Sequence, residues 1–167
     1  MRRTVVACFL VSALVLAGAT SAAAQGSPND FVVGGGQHLA FGTGPGVVAF
    51  GISAHSGPGG ESPHGSLTFT NVGEGTQSLH AKVTCLIVVG NEAFATGVFT
   101  HPAAVEGQIT VLHAVDNGNP HSSAPDLIRF SFAGAIVPVP GQEGCFLPVL
   151  PPVPVTRGNI VVHDATP

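Results

Sequence analysis

Short runs of valine, isoleucine, phenylalanine and threonine recur along the chain, and glycine, proline and asparagine divide them. No window offers a helix of average length. The pattern predicts strands at about Phe31–Gly34, Val47–Ala54, Gly65–Asn71, Gln77–Val89, Glu92–Thr100, Gly107–Val115, Asp126–Phe132 and Ile160–Val162. Gln77–Val89 is long enough to bend or to hold a bulge. Gly90 and Asn91 make a two-residue connection with glycine first, which suits a type II′ hairpin turn. That turn sets Val89 opposite Glu92, Ile87 opposite Phe94 and Cys85 opposite Thr96. On the other face it pairs Val88 with Ala93 and Leu86 with Ala95. Both faces carry apolar residues, so the pattern leaves open which one is inside.

Sequential strands with short connections make an all-β, small antiparallel meander, which buries one face by folding into a sandwich or closing into a barrel. Closure also removes exposed sheet edges, and alternating alanine and glycine suit a narrow interior, so the barrel is the preferred form. Ser56–Pro63 reads as a loop. Val137–Val155 is apolar but studded with proline, which removes ladder donors. It reads as an extended proline-rich C-terminal strap across the sheet, held through Cys145, with Phe146, Leu147, Val149 and Leu150 covering core surface. The PxxP spacing of Pro148 and Pro151 is common, and a polyproline ligand is the weaker reading.

The N-terminus changes the picture. Arg2 and Arg3 precede an apolar run from Val5 to Ala17, and Ala22 and Ala24 supply small residues for cleavage. Residues 1–24 therefore read as a secretory signal peptide, which leaves 25–167 as a single secreted β domain. Cys8 lies inside the apolar run, away from the cleavage site, which disfavours a lipid anchor. No second long apolar run follows, so no membrane span is expected in the mature chain. The expected mature domain has three basic residues, Lys82, Arg129 and Arg157, against nine acids, a formal charge of −6 with histidines neutral. That balance disfavours nucleic acid and anionic lipid as partners. In an oxidising compartment Cys85 and Cys145 are expected to pair. Closing that loop is worth about 4 kcal/mol in the simple loop model. The alternatives are a reactive thiol or a metal-binding thiolate, but there is no CxxC and neither cysteine has a histidine at finger spacing.

Candidate chemistry rests on eight histidines: His38, His55, His64, His80, His101, His113, His121 and His163. Neutral imidazoles can bind zinc or copper or move protons. There is no HExxH and no compact cluster. His113 with Asp116, His121 with Asp126, and His163 with Asp164 are the pairs a metal site would draw on. The plainer reading is surface and loop histidines that bond locally, and no metal ligand, catalytic residue or cofactor is assigned. "VDNGNP" (Val115–Pro120) lacks the full calcium ligand series and reads as a turn built by Asp116, Asn117 and Gly118. No GxSxG elbow, Walker loop or Rossmann fingerprint is present, and "FVVGGG" and "SGPGGES" read as glycine-rich β turns.

Several separated pieces share a resemblance: "FVVGGG", "FGISAHSGPGGESPHGSLTF", "KVTCLIVVGNEAFATG", "VLHAVDNGNP", Cys145 and "GNIVVHDA". Together they resemble a family of small secreted bacterial proteins, mainly actinobacterial, to which no activity is attached. The resemblance implies an exported all-β domain and transfers no catalytic residue or cofactor. The function expected is therefore a secreted structural or binding module with an unknown extracellular or envelope partner. The alternatives are a metal-dependent extracellular enzyme built from clustered His and Asp, or a small apolar-ligand carrier.

Overall fold

The computed structural model describes residues 29–39, 46–72, 77–118, 124–132 and 134–165. The proposed signal peptide and His121 lie outside the described residues. The strands are β1 (Asp30–Leu39), β2 (Val47–Ser56), β3 (His64–Val72), β4 (Ser78–Val89), β5 (Glu92–His101), β6 (Ile109–Val115), β7 (Leu127–Phe132), β8 (Ile136–Pro138), β9 (Phe146–Pro148) and β10 (Val153–His163). Eight of them close an antiparallel barrel in the order β1-β10-β7-β6-β5-β4-β3-β2, and β8 and β9 form a separate hairpin. The barrel, not the sandwich, is the way this meander buries its face. A row of partners that starts at Gly34 passes Ile52, Leu67 and Ala81 and reaches Phe99 near the end of β5. That drift along the strands is the stagger a closed barrel requires.

The Gly90–Asn91 hairpin has the expected register, from Val89 opposite Glu92 to Cys85 opposite Thr96. Gly90 takes φ 61°, which the first central residue of a type II′ turn needs. β4 is irregular next to Ala81 and next to Cys85, the bulging its length implied. The face left open by the sequence resolves clearly. Leu86, Val88, Ala93 and Ala95 point into the barrel with Leu112, Ala114, Ile128 and Phe130. Cys85, Thr96, Val111 and Ser131 form one outward row across β4 to β7, yet all four are buried. The strap covers them. Cys145 is disulfide-bonded to Cys85 with Cα atoms 5.4 Å apart. The Phe146 amide donates to Thr96 Oγ1 at 3.0 Å.

Two expectations need correction. The strap does not lie wholly across the sheet: it contains the β8–β9 hairpin, its end, Val153–Val155, opens the barrel strand β10, and Val149 and Leu150 are exposed instead of covering core surface. Pro154 is tolerated because β10 pairs β7 only at Val153–Ile128 and Pro154–Leu127, a short edge-like contact that needs few donors. Likewise "FVVGGG" is no turn but the middle of β1. A Cβ at Gly34 or Gly36 would run into the Asn159 or Arg157 carbonyl of β10, so these glycines permit close backbone approach at the closing seam.

The interior is apolar and aromatic. Phe69 meets Phe130 at 4.3 Å and Phe99 at 5.7 Å between ring centroids, and Phe50 and His38 continue the set. Gly97 lies where a Cβ would sit 3.2 Å from that of Ala81, so the small residues of β5 leave room for these rings. Among the described residues no helix is long and apolar enough to cross a membrane. The barrel's apolar interior and its outer Ser53, Ser66, Thr68 and Lys82 reverse the polarity of an outer-membrane barrel.

Candidate functional site

The acids that a metal-dependent or hydrolytic centre would use are occupied by the backbone. β7 and β10 share only two residue pairs, so past the start of β7 the edge of β10 that faces away from β1 has no strand beside it. Carboxylates stand in for that strand. Asp126 Oδ2 accepts the Ile160 amide at 2.8 Å, and its Oδ1 accepts the Asn117 amide at 3.0 Å. Asp116 Oδ2 accepts the Val162 amide at 3.1 Å, and its Oδ1 accepts Gly118 at 2.7 Å. The second of these bonds is the Asx turn read from the sequence. Farther on, Asp30 accepts the Ala165 amide at 2.8 Å and Asp164 accepts the Gly90 amide at 2.6 Å. Buried backbone donors need such partners, and a charged acceptor is a strong one. Burial pushes the Asp30 carboxyl above the usual carboxylate range. The Ala165 amide opposes that shift, and the charges of Asp164 and Glu61 add to it.

The histidines separate into three settings. His38 is fully buried inside the barrel, its Nδ1 donating to the Leu39 carbonyl at 2.7 Å. Burial lowers its affinity for a proton. The Leu39 bond opposes this, and the charge of Arg129 reinforces it. His113 lies on the outer face, stacked on Phe94 at 4.3 Å, with Nε2 3.0 Å from Glu92. Of the remaining described histidines, four sit opposite one another across strands and His163 sits opposite Phe31. His80 faces His101, with ring centroids 5.8 Å apart. His64, His55, Phe31 and His163 form an outward row across β3, β2, β1 and β10. Their successive ring centroids are 5.5, 5.9 and 5.0 Å apart.

Sequence pairs such as His113 with Asp116 and His163 with Asp164 therefore do not become metal sites. Among the described residues no group of three or more His, Cys, Asp or Glu is placed to hold a metal ion. Phe31 was not singled out by its sequence context, although it holds the centre of the outer row. The row had one visible signal: His55 and His64 flank the Ser56–Pro63 loop, and an antiparallel hairpin closed by that loop sets them opposite each other. No family model, curated protein or solved structure matches the chain.

Proposed function

We propose that the chain is an exported, non-catalytic barrel module that contacts an extracellular or envelope partner through its outer surface. The observation that carries this reading is the use of Asp30, Asp116, Asp126 and Asp164 as acceptors for backbone amides. Acid–base or metal-assisted chemistry would have to take those carboxylates away from the closure of the barrel. Rings from Phe50, Phe69, Phe99 and Phe130 meet across the interior, which supports an outer contact surface over an apolar carrier cavity. The outer row of His64, His55, Phe31 and His163 is the surface we assign to the partner. The leader-like N-terminus, the disulfide and the resemblance to secreted bacterial proteins support export.

Two measurements test the reading. Protein recovered from the medium of producing cells should begin at Gln25 and contain no free thiol; retention inside the cell with the leader intact would count against export. The purified domain should sediment with the envelope of those cells. Phe31→Ala and His163→Ala should weaken that association, and Thr84→Ala on β4 should not. Equal sedimentation of all three variants would remove the outer row as the contact surface.

A further inference from the structure

Antiparallel pairing sets two histidines side by side on the outer surface at two places, and the two places differ. His80 and His101 are tilted by 56°. His55 and His64 lie nearly parallel, with an interplanar angle of 20° and centroids 5.5 Å apart. His64 is also oriented by its own loop. Ser62 adopts φ 52°, a left-handed conformation that is uncommon and costly for a residue with a Cβ. In that conformation its carbonyl accepts a hydrogen bond from His64 Nδ1 at 3.0 Å. A carbonyl only accepts, so the proton is on Nδ1 and Nε2 is the basic nitrogen. His55 Nε2 lies 3.3 Å from Ser53 Oγ. His64 therefore presents Nε2 as a donor, and a neutral His55 offers whichever ring nitrogen does not carry its proton.

We propose that His55 and His64 form a two-imidazole chelate for a divalent late first-row cation, with Cu(II) bound most tightly. Directly opposed residues on paired strands have Cβ atoms about 5 Å apart. The stacked rings do not converge as they stand; turning the exposed His64 ring off its Ser62 bond brings its Nε2 and a His55 nitrogen to one ion at about 2 Å. Imidazole suits copper, nickel and zinc, and copper stands highest in the affinity order of this series. Two neutral nitrogens with water in the other positions match the tetragonal preference of Cu(II). A structural zinc site wants four protein ligands. Both Cys85 and Cys145 are in the disulfide, so neither offers a thiolate. The electrostatics favour a cation. Glu61 lies in the loop that joins the two histidines, its Oε2 accepting the Gly59 amide at 2.8 Å, and puts a carboxylate near them. Phe31 separates His163 from His55, so the site has two protein donors and keeps open positions. The inference stands independently of export and of the partner.

Titration of the mature, disulfide-intact domain with aqueous Cu(II), followed by calorimetry and electron paramagnetic resonance, tests this. The expected result is one tight equivalent whose spectrum carries superhyperfine structure from two imidazole nitrogens. The second donor acts intramolecularly, so His55→Gln or His64→Gln should weaken that equivalent on the order of a hundredfold and leave one nitrogen in the spectrum. The double variant His80→Gln/His101→Gln should keep the tight equivalent. Unchanged binding in both His55→Gln and His64→Gln, or loss of the tight equivalent in the His80/His101 variant, overturns the assignment. His64 is exposed, so His64→Gln gives a folded test even where His55→Gln is perturbed.

Discussion

Replacing Asp126 with alanine should cost more than any other single acidic substitution among the described residues. The side chain is 7% exposed and accepts two backbone amides, from Ile160 at 2.8 Å and Asn117 at 3.0 Å. Ile160 is fully buried, so its amide has no solvent to turn to when the carboxylate is removed. A hydrogen bond to a charged group contributes about 1.5–3 kcal/mol, and a buried donor left unpaired costs about 1–3 kcal/mol. The Asn117 amide is only partly buried and water recovers some of its loss. The sum for Asp126→Ala is about 3–5 kcal/mol, a large share of a typical domain's 5–15 kcal/mol. Asp126→Asn keeps one acceptor oxygen but points an NH₂ at the second amide, for an expected cost of about 1–3 kcal/mol. Urea unfolding of the disulfide-intact domain, with m-values compared to confirm similar unfolded states, reads both numbers. An Asp126→Ala variant within about 0.5 kcal/mol of the wild type would show that the carboxylate does not close the β10 seam.

Four further outcomes follow from the same structure. Cys85→Ser/Cys145→Ser should lose up to about 4 kcal/mol and uncover Thr96 and Val111, read by urea unfolding and by faster amide exchange in β5 and β6. Gly97→Leu should cost at least about 1–3 kcal/mol by overpacking against Ala81 and Leu67, which already lie 3.2 and 3.3 Å from a Cβ at that site; a neutral result in the same assay would mean that the interior has spare room. His38 is held neutral by burial, so the folded chain takes up its proton at lower pH than the unfolded chain, whose histidine titrates near about 6.5. Its contribution is therefore present above that value and is lost as pH falls below it, with a slope of up to about 1.4 kcal/mol per pH unit. His38→Leu should flatten that part of the stability profile, and an unchanged slope would contradict it. Asp30 acts in the opposite sense, because its raised carboxyl protonates first in the folded state and so adds stability as pH falls toward about 4.

The hairpin around Gly90 and Asn91 was readable because a two-residue turn fixes register and period-two alternation fixes faces. The register slips by one residue over Ala81–Val83 and returns at His80 opposite His101, because the two irregularities in β4 compensate each other. β10 was not readable beyond Ile160–Val162, because Pro154 and Gly158 look like breaks in a local window. Pro154 is accepted at the seam with β7, where β10 has few ladder partners, and Gly158 at the seam with β1, where its φ of 106° and the close approach of Gly35 and Gly36 leave no room for a Cβ. The seam with β7 also hid the role of the acids. Asp116 and Asp126 carry no local signal that they will bond amides of residues 162 and 160, since that pairing exists only after the barrel has closed. Paired with nearby histidines in sequence, they resemble ligands; in the fold they act as substitute strand partners. The row of His64, His55, Phe31 and His163 likewise needs three strand pairings at once, of which only the His55–His64 step is local.

Scalar coupling across hydrogen bonds, measured by NMR on the labelled mature domain, reports directly on whether carboxylates complete the barrel wall. Coupling should appear from the Ile160 and Asn117 amide nitrogens to the Asp126 side-chain carbon, and from Val162 to that of Asp116. The Ile160 amide should also exchange slowly with solvent. No coupling, together with fast exchange at Ile160, would mean that these acids are free for chemistry and that the reading of a non-catalytic module is wrong.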